Sequence, residues 1–138
     1  MAKTFHLEIV TPDGPTYKGE VESLVVPAWE GQLGVLPGHE AQVAVMKPGA
    51  LRYSAEGQDQ WLAISGGFVQ IEPTQVVVLA ETAEMATAID TARAKSAAGS
   101  KQQVITQGGM SEDQVAKMQA SLMKELVRMR VAEKARKG

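Results

Sequence analysis

Cysteine is absent from the 138 residues. That excludes disulfides and thiolate metal sites and suits a reducing compartment. Aromatic residues are few: two Trp, two Tyr and two Phe leave little stacking surface for glycans or single-stranded nucleic acid. No apolar run is long enough to span a membrane, and Met1-Ala2-Lys3-Thr4 leads straight into a strand-like segment. Neither a signal or transit peptide nor direct membrane insertion is therefore expected. The chain also lacks the GxSxG, P-loop and HExxH patterns of common hydrolytic and nucleotide sites. Its two histidines lie far from any nucleophile signature. His6 alternates with apolar neighbours and reads as a solvent-facing or satisfied side chain. Gly66-Gly67 lacks the following helix and lysine of a phosphate loop and reads as a tight turn between strands. No catalytic residue and no metal ligand is expected.

Proline is missing from one part only. All six prolines fall at or before Pro73, and the chain changes character near Thr87-Ala88-Ile89-Asp90. Residues 1–87 hold four basic side chains against eleven acids, a net of −7. Residues 88–138 hold ten against five, a net of +5. The overall −2 thus hides two oppositely charged modules, which places the domains at 1–86 and 87–138.

Before the change, period-two alternation is broken by Gly and Pro. Phe5, Leu7 and Ile9 alternate with polar residues as a half-buried strand does. Thr11-Pro12-Asp13-Gly14-Pro15 is a turn cluster. Val21–Pro27, Gly31–Leu36, the pairs Val43/Val45 and Leu51/Tyr53, Trp61–Ser65, Phe68–Ile71 and Val76–Ala80 read as further strands. So many short strands at near-regular spacing point to an antiparallel sandwich or flattened barrel. After the change, Ala83–Ala98 reads as a first helix, with Thr87 and Asp90 as its start signals. It weakens after Gly99-Ser100, and Gly108-Gly109 is a flexible break. Ser111 and Gln114 form a capping box for a second helix, with Glu112 and Asp113 where the macrodipole favours anions. Val115, Met118, Leu122, Leu126 and Met129 give that helix one apolar stripe, and Lys134, Arg136 and Lys137 close it. The fold expected is a β domain followed by a two-helix hairpin.

Trp29-Glu30-Gly31-Gln32-Leu33-Gly34-Val35-Leu36-Pro37-Gly38-His39 is a rigid, tightly turned edge. It is similar to the EGxLGxxPGH stretch of the ε subunit of bacterial F-type ATP synthases. The resemblance continues through Lys47-Pro48-Gly49 with Leu51-Arg52, Ser65-Gly66-Gly67-Phe68, Val77 to Ala83, and Val131-Ala132-Glu133, covering essentially the whole chain. It implies a ten-stranded β-sandwich with a C-terminal helix-turn-helix, and a non-catalytic central-stalk subunit. Its implied partners are the γ subunit, the c-ring and, with the hairpin extended, the α3β3 catalytic head. No nucleic acid is implied. The implied place is peripheral, on the cytoplasmic face of the bacterial plasma membrane.

Carried over by position, the resemblance puts Glu30, Gln32, Gly34 and His39 against the c-ring loops. Many members have Glu where this chain has Gln32. It assigns the hairpin a brake on ATP hydrolysis, with Lys124, Arg128, Arg130 and Lys134 as its cations. No cofactor is required, but ATP is implied as a regulatory ligand: Ile89-Asp90-Thr91-Ala92-Arg93-Ala94 matches the I/LDxxRA motif of nucleotide-binding members. Glu84 and Arg128 coincide with further positions of that site. Ser100 and Lys124 stand where those members carry arginine, and the want of each charge-assisted hydrogen bond to phosphate costs roughly 1.5–3 kcal/mol. Read from residues alone, two other functions remain: a β-sandwich ligand-binding module with a helical oligomerisation tail, and nucleic-acid attachment through the basic tail. The acidic sandwich opposes the second.

Overall fold

Alternation decides the first strand. In the computed structural model, which describes residues 3–137, β1 (Phe5–Thr11) buries Phe5, Leu7 and Ile9 and turns His6, Glu8 and Val10 outward, as a pleated strand must. A turn at Pro12-Asp13 leads to β2 (Gly14–Val21). The remaining strands are β3 (Ser23–Ala28), β4 (Gly31–Val35), β5 (Gln42–Met46), β6 (Gly49–Ala55), β7 (Gln58–Ile64), β8 (Gly67–Ile71), β9 (Gln75–Ala80) and β10 (Ala83–Met85). The described residues thus form the ten-stranded domain and two-helix tail expected.

The ten strands form two layers. One runs β10-β7-β6-β3-β4, the other β5-β8-β9-β1-β2. A single register pair, Ala28 with Met46, joins them along one side. Tyr17 of β2 and Tyr53 of β6 close the other side, with ring centroids 4.3 Å apart. All pairings are antiparallel except β1 with β9, which is parallel. Between the layers lie Leu7, Ile9, Leu24, Val26, Leu51 and Leu62, among others. Gly66-Gly67 is where the chain crosses from one layer to the other, since β7 and β8 do not pair with each other. Gly67 has a φ of +135°, and the Leu79 carbonyl oxygen stands against the place a Cβ would take. Only glycine fits there.

Three expectations are corrected. Val21–Pro27 is not one strand: β2 ends at Val21, and β3 runs through Pro27 to Ala28. Pro27 is tolerated because its carbonyl still accepts from the Lys47 N–H at 2.9 Å, and only its donor is missing. The first helix does not begin at Ala83. Ala83–Met85 is taken up as an edge strand opposite Leu62–Ile64, and a 3-10 turn over Ala86–Ala88 follows. Helix α1 is Thr91–Gln107, capped by Asp90, whose Oδ1 accepts from the Arg93 N–H at 3.0 Å. It continues through Gly99-Ser100 and stops at Gly108, φ 76°.

Helix α2 is Glu112–Lys137, and its capping box is present. The Ser111 N–H donates to Gln114 Oε1 at 3.0 Å, and the Gln114 N–H to Ser111 Oγ at 3.2 Å. The single apolar stripe is the third correction. Val115, Met118, Leu122 and Met129 are half-buried, but Leu126 is 40% exposed, and the fully buried positions are Val127 and Val131. At 1.5 Å per residue the 26-residue helix is roughly 39 Å long. It meets α1 and also β7 and β6, so two surfaces claim different faces.

Candidate functional site

Two regions of the molecule offer surfaces for partners. The first is the outer face of the β5-β8-β9 layer with the adjoining corner. Strand β5 reads Gln-Val-Ala-Val-Met and β9 Gln-Val-Val-Val-Leu-Ala, without the polar alternation of a strand whose outer face meets water. Val45 lies opposite Phe68, and Phe68 opposite Leu79, which places the three in one cross-strand row. Phe68 is 54% exposed, and Val43, Val45 and Leu79 are exposed as well. Trp29, 65% exposed, joins the row's end, where its backbone N–H donates to the Val45 carbonyl at 3.1 Å. A shallow cleft of 780 Å³ runs beneath, lined among others by Trp29, Glu30, Gln32, Leu33, Gln42 and Val43.

The corner carries the four residues assigned to the c-ring loops. Glu30 is exposed in the turn between β3 and β4. Gln32 and Gly34 are exposed on β4, opposite Pro27 and Val25. His39 is half-buried in the connection to β5, and its Nδ1 donates to the Glu40 carbonyl at 2.7 Å. The Gly38 N–H donates to the Pro73 carbonyl at 2.9 Å, tying this corner to the β8–β9 turn. The segment is thus an exposed, hydrogen-bonded edge contiguous with the apolar row.

The second region is the seat of the hairpin. Val127 and Val131 of α2 bury against Ala63, with Ala50, Trp61, Ala86 and Ile89 around them. Lys134 Nζ stands 5.1 Å from the Trp61 ring centroid, a cation–π contact. Beside this patch lies a 360 Å³ cavity lined by Ser65, Thr82, Glu84, Lys124, Glu125 and Arg128, among others. Arg128 Nε and Nη2 donate to Glu84 at 2.6 and 3.2 Å, and Nη1 to Glu125 at 3.0 Å. Lys101 of α1 reaches the same Glu125 at 3.3 Å. The hydrogen bond to Glu84 is the main cause that lifts the Arg128 guanidinium above its ordinary value. Burial opposes that shift, and the Glu84 and Glu125 charges add to it.

Of the residues assigned to ATP, Glu84 and Arg128 meet, but they meet each other. Asp90 caps the helix, Ala94 is fully buried, Ile89 belongs to the apolar patch, and Arg93 is exposed at the start of α1. The Arg128 guanidinium is engaged by two carboxylates, Arg93, whose fork the motif would offer to phosphate oxygens, is left exposed, and Ser100 brings no charge. Among the cations assigned to the brake, Lys124 and Arg130 are exposed, whereas Arg128 and Lys134 help hold the hairpin down.

Residues 4–86 match the ATP synthase Delta/Epsilon chain beta-sandwich domain family. The ATP synthase epsilon chain of Bacillus pumilus is 41% identical over 132 residues, covering 96% of this chain and 99% of the relative. The chain belongs to the ATP synthase epsilon family. The Bacillus subtilis epsilon chain is 48% identical over 95 residues, 69% of this chain and 72% of the relative. In fold, the chain is similar to a chain of the Euglena gracilis mitochondrial ATP synthase OSCP/F1/c-ring structure, with a TM-score of 0.78 at 23% identity, covering 94% of this chain and 81% of that one. An epsilon chain is a non-catalytic stalk subunit within the ATP synthase complex, which displaces the ligand-capture and nucleic-acid readings. None of the described helices is long and apolar enough to cross a membrane.

The c-ring residues carried over from the resemblance all lie at the corner; Phe68 and Leu79 fall in matching segments but carry no assigned role. The signal of the apolar row lies in the strands instead: β5 and β9 are apolar on both faces, and β8 sets Phe68 against both.

Proposed function

We propose that the exposed row Val45–Phe68–Leu79, with Val43 and Trp29, is the face through which this epsilon chain grips the γ subunit. The adjoining corner, with Glu30, Gln32, Gly34 and His39, then meets the polar loops of the c-ring, so that the sandwich couples γ to the ring in rotary, proton-driven ATP synthesis. The observation that carries this reading is an apolar surface continuous across three strands, which a solitary soluble domain rarely leaves to water. Gln32 offers a c-ring loop a neutral hydrogen bond where many relatives offer a charge, a difference of at most about 1 kcal/mol at an exposed contact. In this reading the complex lies on the cytoplasmic face of the bacterial plasma membrane.

The docked hairpin is the permissive state. Lifted off, it extends along γ and brings Lys124, Arg128, Arg130 and Lys134 toward the catalytic head, where acidic segments attract the tail's net positive charge. Gly108 and Gly109, at φ 76° and 85°, supply the hinge. The test is reconstitution with γ and the c-ring. The full chain and residues 1–87 both associate, and the truncated complex hydrolyses ATP faster. Failure of the full chain to associate would remove the coupling role, and unchanged hydrolysis after truncation would remove the brake.

A further inference from the structure

The apolar seat of the hairpin is small, yet one ion pair, Glu84–Arg128, crosses it, and two more continue the series into the hairpin. Glu84 lies on β10, Arg128 and Glu125 on α2, and Lys101 on α1, so one chain of charges links the sandwich to both helices. The Glu84–Arg128 contact is a two-pronged fork, the geometry in which guanidinium and carboxylate bind best. All four side chains are partly covered. That setting strengthens the pairs relative to open surface but leaves them able to regain water when the hairpin lifts. Separating them therefore strands no buried charge, the penalty that makes fully buried pairs hard to open.

We propose that Glu84–Arg128–Glu125–Lys101 is a nucleotide-independent latch that holds the hairpin on the sandwich. Glu84 and Glu125 do for Arg128 and Lys101 what a bound polyanion would otherwise do. They neutralise the cations at the joint from within the chain, and the carboxylates take the donors a phosphate group would need. The hairpin then stays closed without ATP, and the latch opens through competition for its charged groups by a partner surface.

The latch deepens the movable-hairpin reading but is tested apart from it, by amide hydrogen exchange on the full chain alone, with and without ATP. Failed association with γ would sink the coupling role and leave this measurement standing. Without nucleotide, α2 peptides around Val127 and Val131 are protected. Glu84→Gln speeds exchange there by about tenfold, the effect of one charge-assisted hydrogen bond, and Arg128→Gln, which also releases Glu125, by at least as much. Peptides of β1 and β9 keep wild-type rates and show the sandwich folded. The double variant exchanges no faster than Arg128→Gln alone, as expected of two residues acting as a unit. Glu125→Gln loosens α1 around Lys101 as well. ATP leaves wild-type exchange unchanged. The proposal is overturned if the single variants match wild type, if the double variant shows the product of the two single effects, or if α2 is protected only when ATP is present.

Discussion

The sandwich is held by a continuous apolar cluster running from Phe5 to Ala80, aliphatic apart from the rings of Phe5 and Tyr53. The hairpin has far less: among the described residues of the tail, the buried apolar side chains are Ala94, Ala98, Val127 and Val131. Burying a valine contributes on the order of 1.5–3 kcal/mol, so docking of the hairpin is worth a few kcal/mol, which its ion pairs adjust. The sandwich is thus a fixed body, while the hairpin sits within the range over which a partner can shift a two-state element. In the proposed reading, its charge and its thin apolar seat together make it detachable.

The largest effects should separate the two regions. Leu62→Ala, deep in the sandwich, is expected to cost about 2–5 kcal/mol in urea unfolding. Val131→Ala should instead raise α2 exchange and leave sandwich unfolding near wild type. Equal losses in global stability from both would mean that the regions unfold as one. Next comes the outer row. Phe68→Glu should weaken association with γ by about 2 kcal/mol or more, as for a central aromatic anchor, with the isolated chain still folded by circular dichroism. Association at wild-type strength would move the γ face elsewhere.

Alkaline pH tests the sandwich through its tyrosines. Burial, with a smaller contribution from Tyr17, pushes the Tyr53 phenol up to about 12 from an ordinary 10.0. Burial also raises Tyr17, with Glu20 and Glu56 adding to it. A phenol whose folded value is raised contributes stability that is whole below its ordinary 10.0 and lost as pH climbs toward about 12. The loss should approach about 2 kcal/mol for Tyr53. Tyr53→Phe should flatten that part of the pH profile, and an unchanged profile would assign the alkaline loss to other groups. The smallest effect is at the seat: Lys134→Met removes the cation above Trp61, worth about 0.5–1 kcal/mol. Tryptophan fluorescence and α2 exchange should both register it, and silence in both would show that the contact holds nothing down.

Several elements are legible locally. Phe5-Leu7-Ile9, the Pro12-Asp13 turn, the Ser111–Gln114 box and the charge reversal are each written within a few residues, the range over which strand period and helix caps operate. The corner from Trp29 to His39 reads as a rigid edge because its Gly and Pro residues restrict the backbone directly. Ala83–Met85 reads as helix because alanine and glutamate favour helix in isolation, whereas the open edge of β7 supplies hydrogen bonds that the segment takes as a strand. Leu126 departs from its expected burial for a related reason: a stripe drawn on one helix cannot say which of two surfaces the helix will meet.

Two modules of opposite charge, one punctuated by Gly and Pro and the other free of proline, follow from the order of residues alone. Composition and local period are properties of neighbours along the chain, and they need no fold to be expressed. The exposed row of Val45, Phe68 and Leu79 and the closure of Arg128 on Glu84, 44 residues away, belong to the folded molecule. Such pairings arise when separate strands and helices are brought together, and the energy that selects them resides in the packed arrangement rather than in any single segment.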